Sequence, residues 1–399
     1  MNKFLSMAGV LSTMLCLGGV YGFSIFVPPL ISNYGLSVPQ TQIIFGFTIA
    51  SFTSMMFFAN RILVKLGYRN TGIIGAVLFS SGYIIASISE GNILLMTFSL
   101  GILTGLSLAF GYVCSLTGMA RLFPQNQGVA TGLAVAGFGA GAILLSQLVE
   151  AFLNLGFDIM EIFQMIGIGY GLILLAGAVL LRIPDVRALH IKGSHIELRN
   201  IITTIHFWAL ITGMFFGTFA GLLIIGNLKP IGLDFGIQES TATLAISAFA
   251  IGNTFGRIIW GYISDRVGSN NTIIAAFMFS MLSILSIIWG SKEETGFMIS
   301  CFSIGFGFGA NFVVFASEVS RFYGVNNLGK VYSLIFLAYG LAGVSGPVIG
   351  GWLFAVSNSY HLAIMVSAIS CLAGLVIYLL MSWKGLAFRD SFKKLRSSL

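Results

Sequence analysis

Arg257 sits inside the apolar run AISAFAIGNTFGRIIWGYIS, and the nearest acidic residue in sequence is Asp265. A guanidinium in a helix that crosses hydrocarbon costs at least ~2.5–3.5 kcal/mol on insertion scales. Arginine stays protonated in proteins, so that charge is not shed. The chemistry on offer is capture of an anion, above all the two-bond grip of a forked donor on a carboxylate. Asn253, Arg257, Gly261 and Asp265 recur at every fourth position, so they form one polar stripe on a helix. That stripe is expected to face a central cavity. Eight residues at 1.5 Å each put Arg257 ~12 Å from the Asp265 end, close to the middle of a ~30 Å core. The plainer alternative is an arginine that snorkels to headgroups or pairs with a carbonyl.

Other residues fit the same chemistry. Tyr21, Tyr112, Phe308, Phe312, Phe336 and Tyr339 fall mid-span. Tyrosine hydroxyls bond carboxylates, and rings pack a short alkyl group. With 36 Phe in the chain, a single Phe more often faces lipid or core. Asn227 and Asn311 are further polar candidates, although Asn227 closes a span and suits an interfacial place. His206 and His361 lie at span ends, and Glu150 near the outer end of the fifth span; interfacial positions are expected for all three. Glu318 ends the tenth span beside Arg321. It reads as half of a cytoplasmic end pair, with a proton-linked or gating role as the alternative. No acid stands mid-span in the first half, which counts against a proton-driven multidrug exporter. No P-loop, nucleophile elbow or metal spacing occurs, so neither enzyme chemistry nor a cofactor is expected.

The elements that carry these residues follow from composition. The chain has 399 residues, 57% hydrophobic and 8% charged, whereas soluble proteins run near a quarter charged. It reads as an all-α membrane protein. Apolar stretches of spanning length number twelve, at about 5–31, 40–63, 70–89, 92–120, 127–153, 159–182, 203–227, 240–264, 271–290, 296–320, 329–354 and 360–383. With the N-terminus inside, 17 of the 20 Lys and Arg fall on the inner side, Lys229 and Lys292 outside, and Arg257 in the membrane. Both termini are therefore expected in the cytoplasm of a cell inner (cytoplasmic) membrane. Glu90, Glu150, Asp158, Glu161, Asp234, Glu239, Glu293 and Glu294 gather at the outer face. The net charge of +7 thus describes topology rather than a nucleic-acid partner, and the tail KKLRSSL suits anionic headgroups. The first apolar run continues to about Leu30 without a small-residue cleavage site, so it reads as a span rather than a signal peptide. Cys16, Cys114, Cys301 and Cys371 all fall in spans and read as buried thiols.

The second half repeats the first at an offset of about 201 residues. Asn60–Gly67 lies over Gly261–Gly268, Asn70-Thr71 over Asn271-Thr272, Gly105 over Gly305 and Gly139 over Gly340. The expected organisation is a six-helix bundle (1–182), a polar cytoplasmic linker (183–202), a second six-helix bundle (203–383) and a basic tail (384–399). Two similar bundles with a site between them suit alternating access. Glycines crowd the fifth span (Gly128, Gly132, Gly137, Gly139, Gly141) and the eleventh (Gly340, Gly343, Gly346, Gly350, Gly351), where small residues let backbones approach and slide.

Gly261-Tyr-Ile-Ser-Asp265-Arg266-Val-Gly268 resembles the loop signature GxxxDRxG of the major facilitator superfamily, in its place after the eighth span. The first-half copy has Val64 and Lys65 where the signature has acid and arginine. The resemblance extends over most of the chain and narrows to the oxalate/formate antiporter and monocarboxylate transporter branch. It rests on GGVYGFSIFVPPLISNYGLS, GILTGLSLAFGYVCSL, RLFPQNQGVATGLAVAGFGAGA, FWALITGMFFGTFAGLLIIGNLKPIG, GNTFGRIIWGYISDRVG and YSLIFLAYGLAGVSGPVIGG. It implies the twelve-helix major facilitator fold, with the first, fourth, tenth and eleventh helices around the cavity. Arg257 then matches the arginine that binds substrate carboxylate, and Gly261, Asp265, Arg266 and Gly268 match the loop that holds one access state. Oxalate carriers of the branch add a lysine in an A-K-G context, where this chain has Ala338-Tyr339-Gly340. Proton-coupled animal relatives carry an aspartate where Asn253 stands, and many relatives a lysine where Pro28-Pro29 stand.

One cation suits one carboxylate, since a dianion leaves a charge unpaired in low dielectric. The expectation is a monomeric secondary carrier of a small organic anion such as lactate, pyruvate or formate, taken up with a proton. Anion exchange, export of hydrophobic compounds and a non-transporting anion sensor are the alternatives.

Overall fold

The computed structural model describes residues 3–123, 127–181, 183, 201–324 and 328–396. Hydrocarbon offers no water to backbone N–H and C=O groups, so each crossing must satisfy them internally, and the chain does so as helix. In chain order these are α1 (Lys3–Tyr34), α2 and α3 (residues 38–66 and 68–87), α4 (residues 93–122), α5 (Gln127–Asn154) and α6 (Ile159–Leu180), then α7 (Ile205–Ile225), α8 (Glu239–Val267), α9 (Ser269–Gly290), α10 (Glu294–Tyr323), α11 (Leu328–Ser357) and α12 (His361–Arg396). Eleven segments among the described residues are long and apolar enough to cross a membrane, and α2 is the twelfth helix. The twelve form two six-helix bundles, α1–α6 and α7–α12.

Gly67 separates α2 from α3 at φ 78°, and Gly268 separates α8 from α9 at φ 94°. Both lie in the left-handed half of backbone space, which glycine enters without a Cβ penalty. The two bundles thus turn the same corner on the same residue type, as the internal repeat requires. A short connector helix, Leu228–Asp234, lies between α7 and α8. The last helix does not stop near residue 383 but continues to Arg396. Most of the proposed linker, residues 184–200, lies outside the described residues.

Glycine sets the approach of the helices. α8 and α10 touch backbone to backbone: a Cβ on Gly252, Gly256 or Gly305 would collide with the carbonyl of Phe302, Phe306 or Phe249. The bundles meet along two flanks. On one, Gly46, Gly340 and Gly343 bring α2 onto α11; on the other, Gly139 brings α5 onto α8 beside Thr254. A Cβ at Gly46 would lie 2.9 Å from the Val344 Cα, so no larger residue fits that contact.

Candidate functional site

The α8–α10 glycine contact aims one turn of α8 at the seam between the bundles. Gly309 faces Asn253, where a Cβ would lie 3.0 Å from the backbone nitrogen of Arg257. Arg257 is 8% exposed and Asn253 fully buried. Arg257 Nε donates to Asn253 Oδ1 at 3.3 Å, and the guanidinium carbon stands 4.7 Å from the centroid of the Phe312 ring. That cation–π contact offsets part of the desolvation cost. No carboxylate among the described residues forms an ion pair with Arg257, and Asn253 Nδ2 has no hydrogen-bond partner there. The arginine is thus turned inward to the seam, not outward to headgroups.

The first bundle closes the other side. Gly18 of α1 lies against Phe138 of α5, and Gly141 of α5 against Leu15 and Gly18. This close crossing places the next turn of α1, wound tightly over Gly19–Phe26, at the seam. Tyr21 emerges there, and its hydroxyl lies 3.1 Å from that of Tyr339 on α11. The hydroxyls of Tyr21 and Tyr112 both face Arg257. Rings complete the box: Tyr21 meets Phe308 edge-on at 6.0 Å, Phe308 meets Phe312 at 5.3 Å, and Tyr339 lies 5.1 Å from Phe336 and 5.3 Å from Phe312.

The structure therefore brings together Arg257, Asn253, Tyr21, Tyr112, Tyr339, Phe308, Phe312 and Phe336. Further residues around the box were not singled out by sequence. Phe138 contacts both Tyr21 and Tyr112, and the signal was its place between Gly137 and Gly139. Tyr332 donates to the Phe312 carbonyl at 3.0 Å, and nothing in its local sequence marks it.

The rest of the polar stripe parts from this box. Gly261 is half-buried and Asp265 is exposed, so the stripe runs out of the seam within two turns. Arg266 lies over the Tyr262 ring, 4.7 Å from its centroid, and Gly268 forms the turn into α9. Glu318 is not paired with Arg321. It is buried, accepts a short hydrogen bond from Ser269, and lies 3.3 Å from His206 Nε2. His206 in turn stacks on Phe322 at 4.0 Å. This cluster ties α7, α9 and α10 together inside the second bundle, and His206 is buried there rather than interfacial. Asn311 donates to the Phe308 carbonyl at 3.1 Å, one turn back on its own helix. Asn227 is buried and accepts from Tyr360 at 3.2 Å. His361 is exposed beside Ser359. The four cysteines are free and buried.

A sequence model of the Major Facilitator Superfamily matches residues 9–228 and again 208–397. The chain belongs to the major facilitator superfamily. Its relatives include the MFS-type transporter YhjX of Escherichia coli (strain K12), 24% identical over 86% of this chain and 86% of that protein. The oxalate:formate antiporter of Oxalobacter formigenes is 22% identical over 92% of this chain and 89% of its own length. Monocarboxylate transporter 11 of Homo sapiens is 23% identical over 88% and 77% respectively. The fold is shared with a bacterial homologue of the human lysosomal transporter Spinster, at TM-score 0.75 and 16% identity, covering 96% of this chain and 97% of that one. The protein is accordingly a multi-pass membrane transporter, a carrier rather than an enzyme.

Proposed function

We propose that the chain carries small monocarboxylates of the lactate, pyruvate or formate kind by alternating access, with Arg257 holding the carboxylate between the bundles. The observation that supports this most is Arg257 itself: a buried cation at the seam with no acid bonded to it and an unpartnered amide donor, Asn253 Nδ2, beside it. An arriving carboxylate supplies the missing charge and takes up the free donor. The names of two relatives, an oxalate:formate antiporter and a monocarboxylate transporter, both point to carboxylates. Ala338-Tyr339-Gly340 provides no second cation, so a dianion keeps one charge unneutralised. Tyr21, Tyr112 and Tyr339 supply hydroxyls, and the phenylalanines bound the organic part. In this reading the carrier works as a monomer in a cytoplasmic membrane with both ends inside.

Proton-coupled uptake is the first reading of the driving force, with Glu318 as the proton-linked candidate. Exchange of one anion for another is the second. It is favoured by the absence, among the described residues, of a carboxylate paired with Arg257. An empty carrier must then reorient with a bare cation in low dielectric, whereas a loaded one reorients neutral.

Counterflow of labelled lactate, formate and oxalate into proteoliposomes, with and without an imposed pH gradient, tests both. Accumulation of lactate or formate but not oxalate is expected. Failure of every monocarboxylate to enter ends the proposal. A requirement for internal anion without response to pH selects exchange.

A further inference from the structure

Lys229 belongs to the connector between α7 and α8, where sequence places it in an outer loop, yet its side chain is fully buried. Its Nζ lies 3.0 Å from Glu150 Oε2 on α5 and 3.0 Å from Glu239 Oε1 at the start of α8. Thr243 of α8 donates to the same Glu150 oxygen at 2.9 Å. Glu150 comes from the first bundle; Lys229, Thr243 and Glu239 belong to the second. Three residues earlier on the connector, the Gly226 carbonyl accepts from Gln42 Nε2 of α2 at 2.9 Å, again across the seam and fully buried. A single short segment, residues 226–229, is thus gripped by two helices of the first bundle, α2 and α5.

The connector is fixed to its own bundle. Tyr360 donates its hydroxyl to Asn227 at 3.2 Å and its backbone N–H to Asp234 at 2.8 Å, and Ser359 donates to Asp234 at 3.1 Å. It therefore moves with α7–α12, and its bonds to Glu150 and Gln42 must break if the bundles part on this face.

The pairing is built to let go. Stripping a buried ion of its partner is costly because a desolvated charge is left alone. Lys229 has two carboxylates, one on each side of the seam. When Glu150 leaves with the first bundle, Glu239 stays, and its side chain, at 64% exposure, already reaches solvent. Separation thus breaks one ion pair without stranding the cation.

We propose that this connector is the gate of the membrane face opposite the chain ends: Lys229 on Glu150, with Gln42 on Gly226, holds the bundles shut there. The proposal rests on the rocking of two bundles proposed above. Its test reads distance rather than flux, so the two ideas fail separately. Spin labels go on exposed sites of opposite bundles on that face, Leu155→Cys and Lys292→Cys, in the full chain with Cys16, Cys114, Cys301 and Cys371 replaced by Ala. Double electron–electron resonance on the detergent-purified protein gives the separation. The parent is expected to show the short distance. Glu150→Gln, which leaves Lys229 paired with Glu239, is expected to raise the ratio of long to short separations at least tenfold, and Lys229→Met likewise. Glu239→Gln removes the partner that stays with Lys229 when the bundles part, so opening would strand the cation, and the ratio is expected to fall rather than rise. An unshifted Glu150→Gln distribution, or an equal shift in Glu239→Gln, overturns the gate. Because Glu150→Gln leaves no unpaired buried charge, it carries the test even if Lys229→Met does not fold.

Discussion

The hydroxyls of Tyr21 and Tyr339 meet 3.1 Å apart, one from each bundle, beside the buried guanidinium of Arg257. A bond that joins two moving bodies at their binding residue contributes to both closure and recognition. Its net worth is about 0.5–1.5 kcal/mol, as for a typical internal hydrogen bond. Tyr21→Phe and Tyr339→Phe are expected to fold, to reach the membrane at parent levels, and to lower counterflow at subsaturating substrate roughly three- to tenfold. Parent-like kinetics in both variants would remove the pair from the site.

Arg257 is held by geometry as well as charge, through Asn253 Oδ1 and the face of Phe312. Lysine keeps the charge but loses the planar fork. Arg257→Lys is expected to retain under about a tenth of parent counterflow, and Arg257→Ala almost none, since truncating one side of a buried charged hydrogen bond costs roughly 2–5 kcal/mol. Full flux in the Ala variant would end the assignment.

The α8–α10 contact makes a stability prediction. A Cβ at Gly305 collides with the Phe249 carbonyl, whereas a Cβ at Gly169 on α6 meets nothing within 4 Å. Gly305→Ala is expected to cost about 1–3 kcal/mol by overpacking and to lower the melting temperature in detergent by several degrees. Gly169→Ala is expected to match or exceed the parent, because alanine favours helix. Static light scattering and differential scanning fluorimetry on the two purified variants read this directly.

Asp158, which caps α6 outside the membrane span, gives a pH prediction. Burial pushes its carboxyl up, but the short hydrogen bond from Tyr34, the backbone N–H of Met160 and the Asn33 amide together hold it below the usual carboxylate value. A carboxyl with a depressed folded-state value stabilises fully above its unfolded value, ~3.9 for aspartate, and loses that contribution as pH falls through the folded value. Tyr34→Phe is therefore expected to lower the melting temperature at pH 7 and to differ progressively less from the parent below about pH 4. An equal difference at pH 7 and pH 3 would show that Tyr34 acts through packing alone.

The helices were readable in sequence because hydrocarbon imposes one solution on every crossing; the apolar stretches ended close to the observed helix ends except at the last helix, which runs on to Arg396. Arg257 was readable because a permanent charge in an apolar run has few uses. The tyrosines and phenylalanines of the box were readable from mid-span position, and Phe138 was missed because a lone Phe among 36 carries little signal. Long-range pairing was not readable. Lys229 and Glu150 stand 79 residues apart, and no periodicity links a connector lysine to a carboxylate on another bundle. Glu318 was matched with Arg321 because residues three apart share a helix face; long-range packing instead turns Glu318 to His206 and Ser269.

The ion pair at Lys229 has no counterpart in the internal repeat. At the same offset Glu150 lies over Gly351 and Lys229 over Pro28, and Gly351, without a charge to offer, lies close to Val38, Pro39 and Gln42. A molecule of two like halves is therefore fastened on that face like a book with a clasp on one edge: parting the α5–α8 edge means separating opposite charges, while parting the α2–α11 edge there means giving up one amide bond and close packing.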